Sequence, residues 1–153
     1  MAFRPKTSVT LKMHGEAVSH ARIDLSVRDI TYTVDEPLDR GGTNLGPSPT
    51  ESLIGALAAC SNVITHKIAK KHGVDIKALA VDIEYDFDRR GVLLIEEVDN
   101  PFPKLVLTIS LTTDADDSAV ESIKKELAMY CPVSKVIRNS GTEIVEVWNV
   151  SRP

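Results

Sequence analysis

The chain has 153 residues, of which 42% are hydrophobic and 26% charged, and a formal net charge of -4. That length fits one domain or one protomer of a compact oligomer, and an acidic balance repels phosphates, which argues against a nucleic-acid partner. The start, "MAFRPKTSV", shows no charged-then-apolar leader, and no uninterrupted apolar run approaches ~18 residues; the expectation is a cytoplasmic protein with no membrane association.

Residues 7–14, "TSVTLKMH", alternate in polarity and predict a first strand, with "GEA" as the turn after it. Residues 17–28, "AVSHARIDLSVR", predict a second. Ala17, Ala21, Ile23, Leu25 and Val27 share one of its faces, and His20, Arg22, Asp24 and Arg28 the other. "ITYTV" predicts a third strand. The Pro- and Gly-rich "DEPLDRGGTNLGPSP" then predicts a loop; its "RGGTNLGP" lacks the lysine and spacing of a phosphate loop and reads as a connection.

A long helix follows. Ser48 suits the N-cap, Pro49 the first helical position, and Glu51, three residues after Ser48, completes an S-x-x-E capping box. Leu53, Leu57, Cys60, Ile64 and Ile68 recur as an apolar stripe. The helix closes on "KIAKKHG", with basic residues at the negative end of the dipole and Gly73 past the C-cap. In "LAVDIEYDFD", Val81, Ile83, Tyr85 and Phe87 face inward. Asp82, Glu84, Asp86 and Asp88 form a solvated face. "RRG" predicts a hairpin turn into a strand "VLLIEEV", and "PKLVLTISLTT" a further strand. From about Asp117 a second helix runs with Val120, Ile123 and Leu127 inward, Pro132 opens a short helix closed by Gly141, and "EIVEVWNV" predicts a last strand. The fold class is α+β, antiparallel sheets packed on two long helices, with residues 1–153 as a single domain.

The two cysteines, Cys60 and Cys131, have no second cysteine or histidine two to five positions away, and His66 is six residues from Cys60, so no metal site is expected. In a reducing compartment a disulfide between them would be transient and chemical. Two readings of each stay open. Cys60 is a small apolar residue on the stripe, or a reactive thiol that needs a cation or donors from elsewhere, since a mid-helix position gives no help from the dipole. Cys131 is a small residue before a proline, or a thiol activated by the free N–H groups of a helix start.

"GPSPTESLIGALAACSNVITHKIA", followed some seventy residues later by "CPVSKVIRNSGTEIVEV", resembles the OsmC/Ohr family, osmotically inducible protein C and organic hydroperoxide resistance protein. The likeness covers most of the chain and includes the order of elements; the arrangement "DEP…GG…GPSP" points to an OsmC-like subgroup. The resemblance implies an intertwined homodimer and a thiol-dependent peroxidase acting on organic hydroperoxides. Cys60 would be the peroxidatic thiolate, oxidised to a sulfenic acid, and Cys131 would resolve it to a disulfide. A dithiol reductant, a lipoylated protein among the candidates, would reset the pair, and no cofactor is implied. In the hydroperoxide-reducing branches a glutamate directly follows the helix-opening proline and pairs with an arginine that supports the thiolate. Here Thr50 holds that place and Glu51 comes one later. Glu51 is therefore a catalytic candidate whose capping-box position already gives it a structural reason, and Arg22, Arg28 and Arg40 are the candidate arginines. The alternative functions are an OsmC-like protein without peroxidase activity, binding a small apolar or sulfur-containing ligand in the dimer cleft, and a scaffold with incidental cysteines.

Overall fold

A computed structural model describes residues 7–153 of the chain; residues 1–6 of the "MAFRPKTSV" start lie outside the described residues. The chain divides into two compact units, one ending at Leu53 and the other running Ile54–Pro153.

In the first unit, β1 (His14–Ala17), β2 (Arg22–Val27) and β3 (Ile30–Asp35) form an antiparallel sheet in that order. The strand expected over 7–14 does not form before His14, and "GEA", expected as a turn, is strand: Gly15, Glu16 and Ala17 pair with Leu25, Asp24 and Ile23. The alternation over 17–28 is broken instead at Val18–Ala21, where the Ser19 hydroxyl accepts from the amides of Ala21 and Arg22 at 3.2 and 3.1 Å. A serine that bonds its own neighbours' backbone offers the chain a turn in place of a ladder, and polarity alternation does not register that competition. Val27 pairs with Ile30 across a two-residue turn in which Arg28 takes a left-handed φ of 54°.

The loop after β3 is organised from within by Asp35, which is fully buried. Its Oδ2 accepts from the Thr43 hydroxyl at 2.6 Å and from the amides of Thr43 and Leu45 at 3.0 and 3.1 Å; the Thr43 hydroxyl leads the interactions that hold this carboxyl below its usual value. Gly42 is obligatory, since a Cβ there would stand 1.7 Å from the Glu36 carbonyl oxygen.

α1 (Pro49–Lys71) begins at the end of this unit and continues through the second, closing at Gly73 with φ of 69° and a Val74 N–H to Ala69 C=O bond of 2.8 Å. The second unit then runs β4 (Ala78–Tyr85), β5 (Lys104–Thr112), α2 (Asp117–Tyr130), α3 (Pro132–Asn139) and β6 (Glu143–Ser151). Its sheet has the order β4-β5-β6. β4 and β5 are antiparallel, as expected, whereas β6 joins parallel to β5, because it returns after the α2–α3 crossover. The expected hairpin at "RRG" and strand "VLLIEEV" are absent. Residues 89–95 coil into turns with Leu93 N–H to Arg89 C=O and Ile95 N–H to Arg90 C=O bonds of 3.0 Å, while Arg90 reaches both Asp88 and Glu96 and ties the loop's two sides together. Phe87, expected on the strand's inner face, lies beyond its end and stacks on Phe102 with centroids 5.0 Å apart.

The core of this unit joins Leu105, Leu107 and Ile109 of β5 to Ile123 and Leu127 of α2, Leu57 and Ile68 of α1, and Ile144 of β6. Each such side chain, fully buried, contributes about 1.5–3 kcal/mol. By length and composition α1 would pass for a membrane span, but Leu57, Ile68 and Ala69 are packed in this core, which is how a core helix meets the same test. The buried line of α1 is Ile54, Leu57, Ser61, Thr65 and Ile68. It is shifted from the expected stripe: Leu53 is exposed, and Cys60 and Ile64 flank the line half-buried. Two short hydroxyl side chains occupy the centre of that line, and a reading by hydropathy passes over them.

Candidate functional site

Cys60 and Cys131 both lie in the second unit and both are free thiols. Cys60 sits in the middle of α1, half-buried, and packs against the hydrophobic core. Cys131 occupies the junction of two helices, as the C-cap of α2 and the N-cap of α3. Its extended backbone, φ -70° and ψ 108°, lets Pro132 open α3. Its sulfur accepts the Ser134 amide at 3.4 Å, and the residue is fully buried.

Both cysteines belong to one core cluster, Cys131 within it and Cys60 packed against it. Burial is the main reason the Cys131 thiol is pushed above its ordinary value of 9.0; the Ser134 amide works in the opposite direction. Neighbouring Cys60 then adds to the rise.

The remaining candidates belong to the first unit. Glu51 closes the predicted capping box: its Oε2 accepts the Ser48 amide at 2.7 Å and its own amide donates to Ser48 Oγ at 3.4 Å. The Ser48 amide is the leading cause that lowers the Glu51 carboxyl below its usual value, and the charge of Arg40 contributes last. Arg22 holds Asp24 with two bonds of 3.0 and 2.9 Å, and Asp24 also accepts from Thr33 Oγ1 at 2.8 Å. The Arg40 Nε lies 3.2 Å from Glu36 Oε2. Arg28 stands in the β2–β3 turn with a φ of 54°. Thr50, in the place of the family glutamate, has its hydroxyl 3.3 Å from that of Ser48.

Residues beside Cys131 escaped the sequence reading. Arg138 on α3 donates to Ser134 Oγ at 3.3 Å, to the Ile144 carbonyl oxygen at 3.1 Å and to Glu146 Oε1 at 2.8 Å. The i, i+4 spacing of Ser134 and Arg138 was the available signal; the partners on β6 were not legible. Among the described residues no group of three or more His, Cys, Asp or Glu side chains is placed to hold a metal. A pair of free thiols, Cys60 and Cys131, is chemically capable of two-electron sulfur chemistry.

The family profile described as OsmC-like protein matches residues 42–146, a span that includes both cysteines. No curated protein matches the chain. Among solved structures, an OsmC-like protein from Mycoplasma pneumoniae shares 13% identity with a TM-score of 0.74, over 95% of this chain and 99% of that one. An organic hydroperoxide resistance protein OsmC from Legionella pneumophila shares 16% with a TM-score of 0.61, over 95% and 99%. The organic hydroperoxide resistance protein OhrB of Bacillus subtilis shares 19% with a TM-score of 0.56, over 94% and 98%. At these identities the likeness is one of fold.

Proposed function

The chain belongs to the OsmC-like protein family, and from that membership and its two adjacent thiols we infer that it is a thiol-dependent peroxidase acting on organic hydroperoxides. The observation that carries this reading is that both thiols, half-buried Cys60 and fully buried Cys131, are free and pack in one core cluster, with Cys60 among the neighbours that act on Cys131.

Cys60, the less buried of the two, is the peroxidatic residue. Its thiolate attacks the distal oxygen of ROOH; the S–O bond forms as the O–O bond breaks, and the alkoxide takes up a proton and leaves as ROH. Cys131 then attacks the sulfenic sulfur, the S–S bond forms, and hydroxide departs with the proton Cys131 released, as water. Two thiols are oxidised and one peroxide bond is reduced. An external dithiol returns two electrons and two protons; a lipoylated protein is the natural form of such a reductant, and the cytoplasm supplies the reducing setting. Glu51 acts as the cap of α1, its carboxylate already committed to the Ser48 amide. A homodimer is part of this reading. Its support is the exposed apolar surface of each unit, Leu11 and Met13 in the first and Leu94, Ile95 and Val136 in the second.

The test is turnover: cumene hydroperoxide consumed with dihydrolipoamide as reductant, and lost in Cys60→Ser. Tight retention of a small apolar ligand with no peroxide consumed would favour a binding protein in its place.

A further inference from the structure

α3 has only eight residues, and a helix of two turns is too short to hold itself in water; its orientation has to come from anchors. Two are apolar, Ile137 buried in the core and Val133 packed against it. A polar one is Arg138, which joins Ser134 on its own helix to the Ile144 carbonyl oxygen and the Glu146 carboxylate on β6. Glu146 is held in turn, its second oxygen accepting from Trp148 Nε1 at 3.4 Å. At the other end of this chain of bonds, buried Ser134 donates its amide to Cys131 Sγ. The amide-to-sulfur bond of 3.4 Å is long, so its strength depends on where the Ser134 N–H points.

We propose that Arg138 is a positioning residue for the Cys131 sulfur, fixing the first turn of α3 through Ser134 so that the amide stays on Sγ and the sulfur stays aimed at Cys60. The inference rests on the reading of Cys131 as the resolving thiol. A planar guanidinium can hold three acceptors in one fixed fork, and an ammonium cannot. The attack by Cys131 on the Cys60 sulfenic acid, with S–S formed, S–O broken and water released, is the step this geometry serves.

Two measurements test it. In a Cys60→Ser background, the thiolate absorbance of Cys131 is titrated against pH for the parent, Arg138→Gln, Arg138→Lys, Ser134→Ala and the Arg138→Gln, Ser134→Ala pair. With Cys60 intact, sulfenate formation and disulfide formation are timed separately after one equivalent of cumene hydroperoxide. Arg138→Gln is expected to raise the Cys131 midpoint by about one pH unit and to slow disulfide formation about tenfold with the sulfenate step unchanged. Arg138→Lys does not restore either. Ser134→Ala reproduces both effects, and the double variant goes no further than the singles, as members of one network do. An unmoved midpoint, full rescue by lysine, or additive effects would each overturn the proposal. Should Arg138→Gln fail to fold, Ser134→Ala decides the matter alone, since it leaves the Arg138–Glu146 pair in place. If the parent loses no thiol to peroxide, the peroxidase reading fails, while the titration in the Cys60→Ser background still reads the role of Arg138.

Discussion

The first turns of α1 and α3 are built alike. In both a proline follows the N-cap, Ser48-Pro49 and Cys131-Pro132, and in both the capping side chain accepts the amide three residues on, at 3.4 Å. At α1 the third residue returns the bond, Glu51 to the Ser48 amide; at α3 the third residue is Ser134, whose hydroxyl turns to Arg138. Helix-start donors favour an anion in each case, yet the outcomes have opposite sign. Glu51 is exposed and the donors win, so its carboxyl is lowered; Cys131 is fully buried and desolvation wins, so its thiol is raised. The two N-cap side chains, Ser48 and Cys131, are both buried; the difference lies in the acid, an exposed carboxylate at α1 and a buried thiol at α3.

Cys131→Ser, which turns the second start into a copy of the first, should have the largest effect. Serine caps well, so stability should change by no more than about 1 kcal/mol. Peroxide should now stop at the Cys60 sulfenic acid, trapped as a dimedone adduct in the intact mass; a disulfide-like loss of both thiols is impossible in this variant, and absence of any adduct would count against Cys60 as the attacking residue. The converse change, Ser48→Ala, should cost about 1 kcal/mol in denaturant melts. Glu51→Gln should cost only a few tenths, because glutamine also closes the box, and should leave turnover within about twofold. A collapse of turnover in Glu51→Gln with unchanged stability would give Glu51 the chemical role and end its assignment as a cap.

A third contrast is in pH. Because the folded Cys131 thiol holds its proton more tightly than an ordinary thiol, its share of stability is complete below the ordinary value and declines as pH rises past it. Disulfide formation should accelerate roughly tenfold per pH unit from neutrality through that range, without levelling at the ordinary value. A plateau below pH 9.0, the ordinary thiol value, would contradict the raised thiol. Glu51 has the opposite sign: lowered in the fold, it adds stability above the usual carboxylate range that is lost as pH falls through its folded value. Glu51→Gln should remove that acid-side decline, the smallest of these effects, read from melts at acidic pH.

What was legible carries local signals. The capping box in the first unit, and in the second the inward residues Val120, Ile123 and Leu127, the Cys131-Pro132 junction and Gly73, all stand where sequence rules put them. What escaped depends on partners distant in the chain or on competition between local bonds. The Ser19 turn defeated a clean alternation, and Arg90 with Asp88 and Glu96 made a loop of an apolar run expected as strand. β6 joined parallel because of where the crossover delivers it. For the candidate site, Cys60 and Cys131 were singled out by two motifs read together, while Arg138, tied to Ile144 and Glu146 on another element, had no sequence signature beyond its distance from Ser134.

The most direct measurement is a thiol count on the reduced protein after one equivalent of cumene hydroperoxide per chain, followed by peptide mapping. A redox pair predicts that both thiols disappear together and that the peptides containing Cys60 and Cys131 are recovered linked to each other. Retention of both thiols, with no sulfenic acid trapped on Cys60, would contradict it.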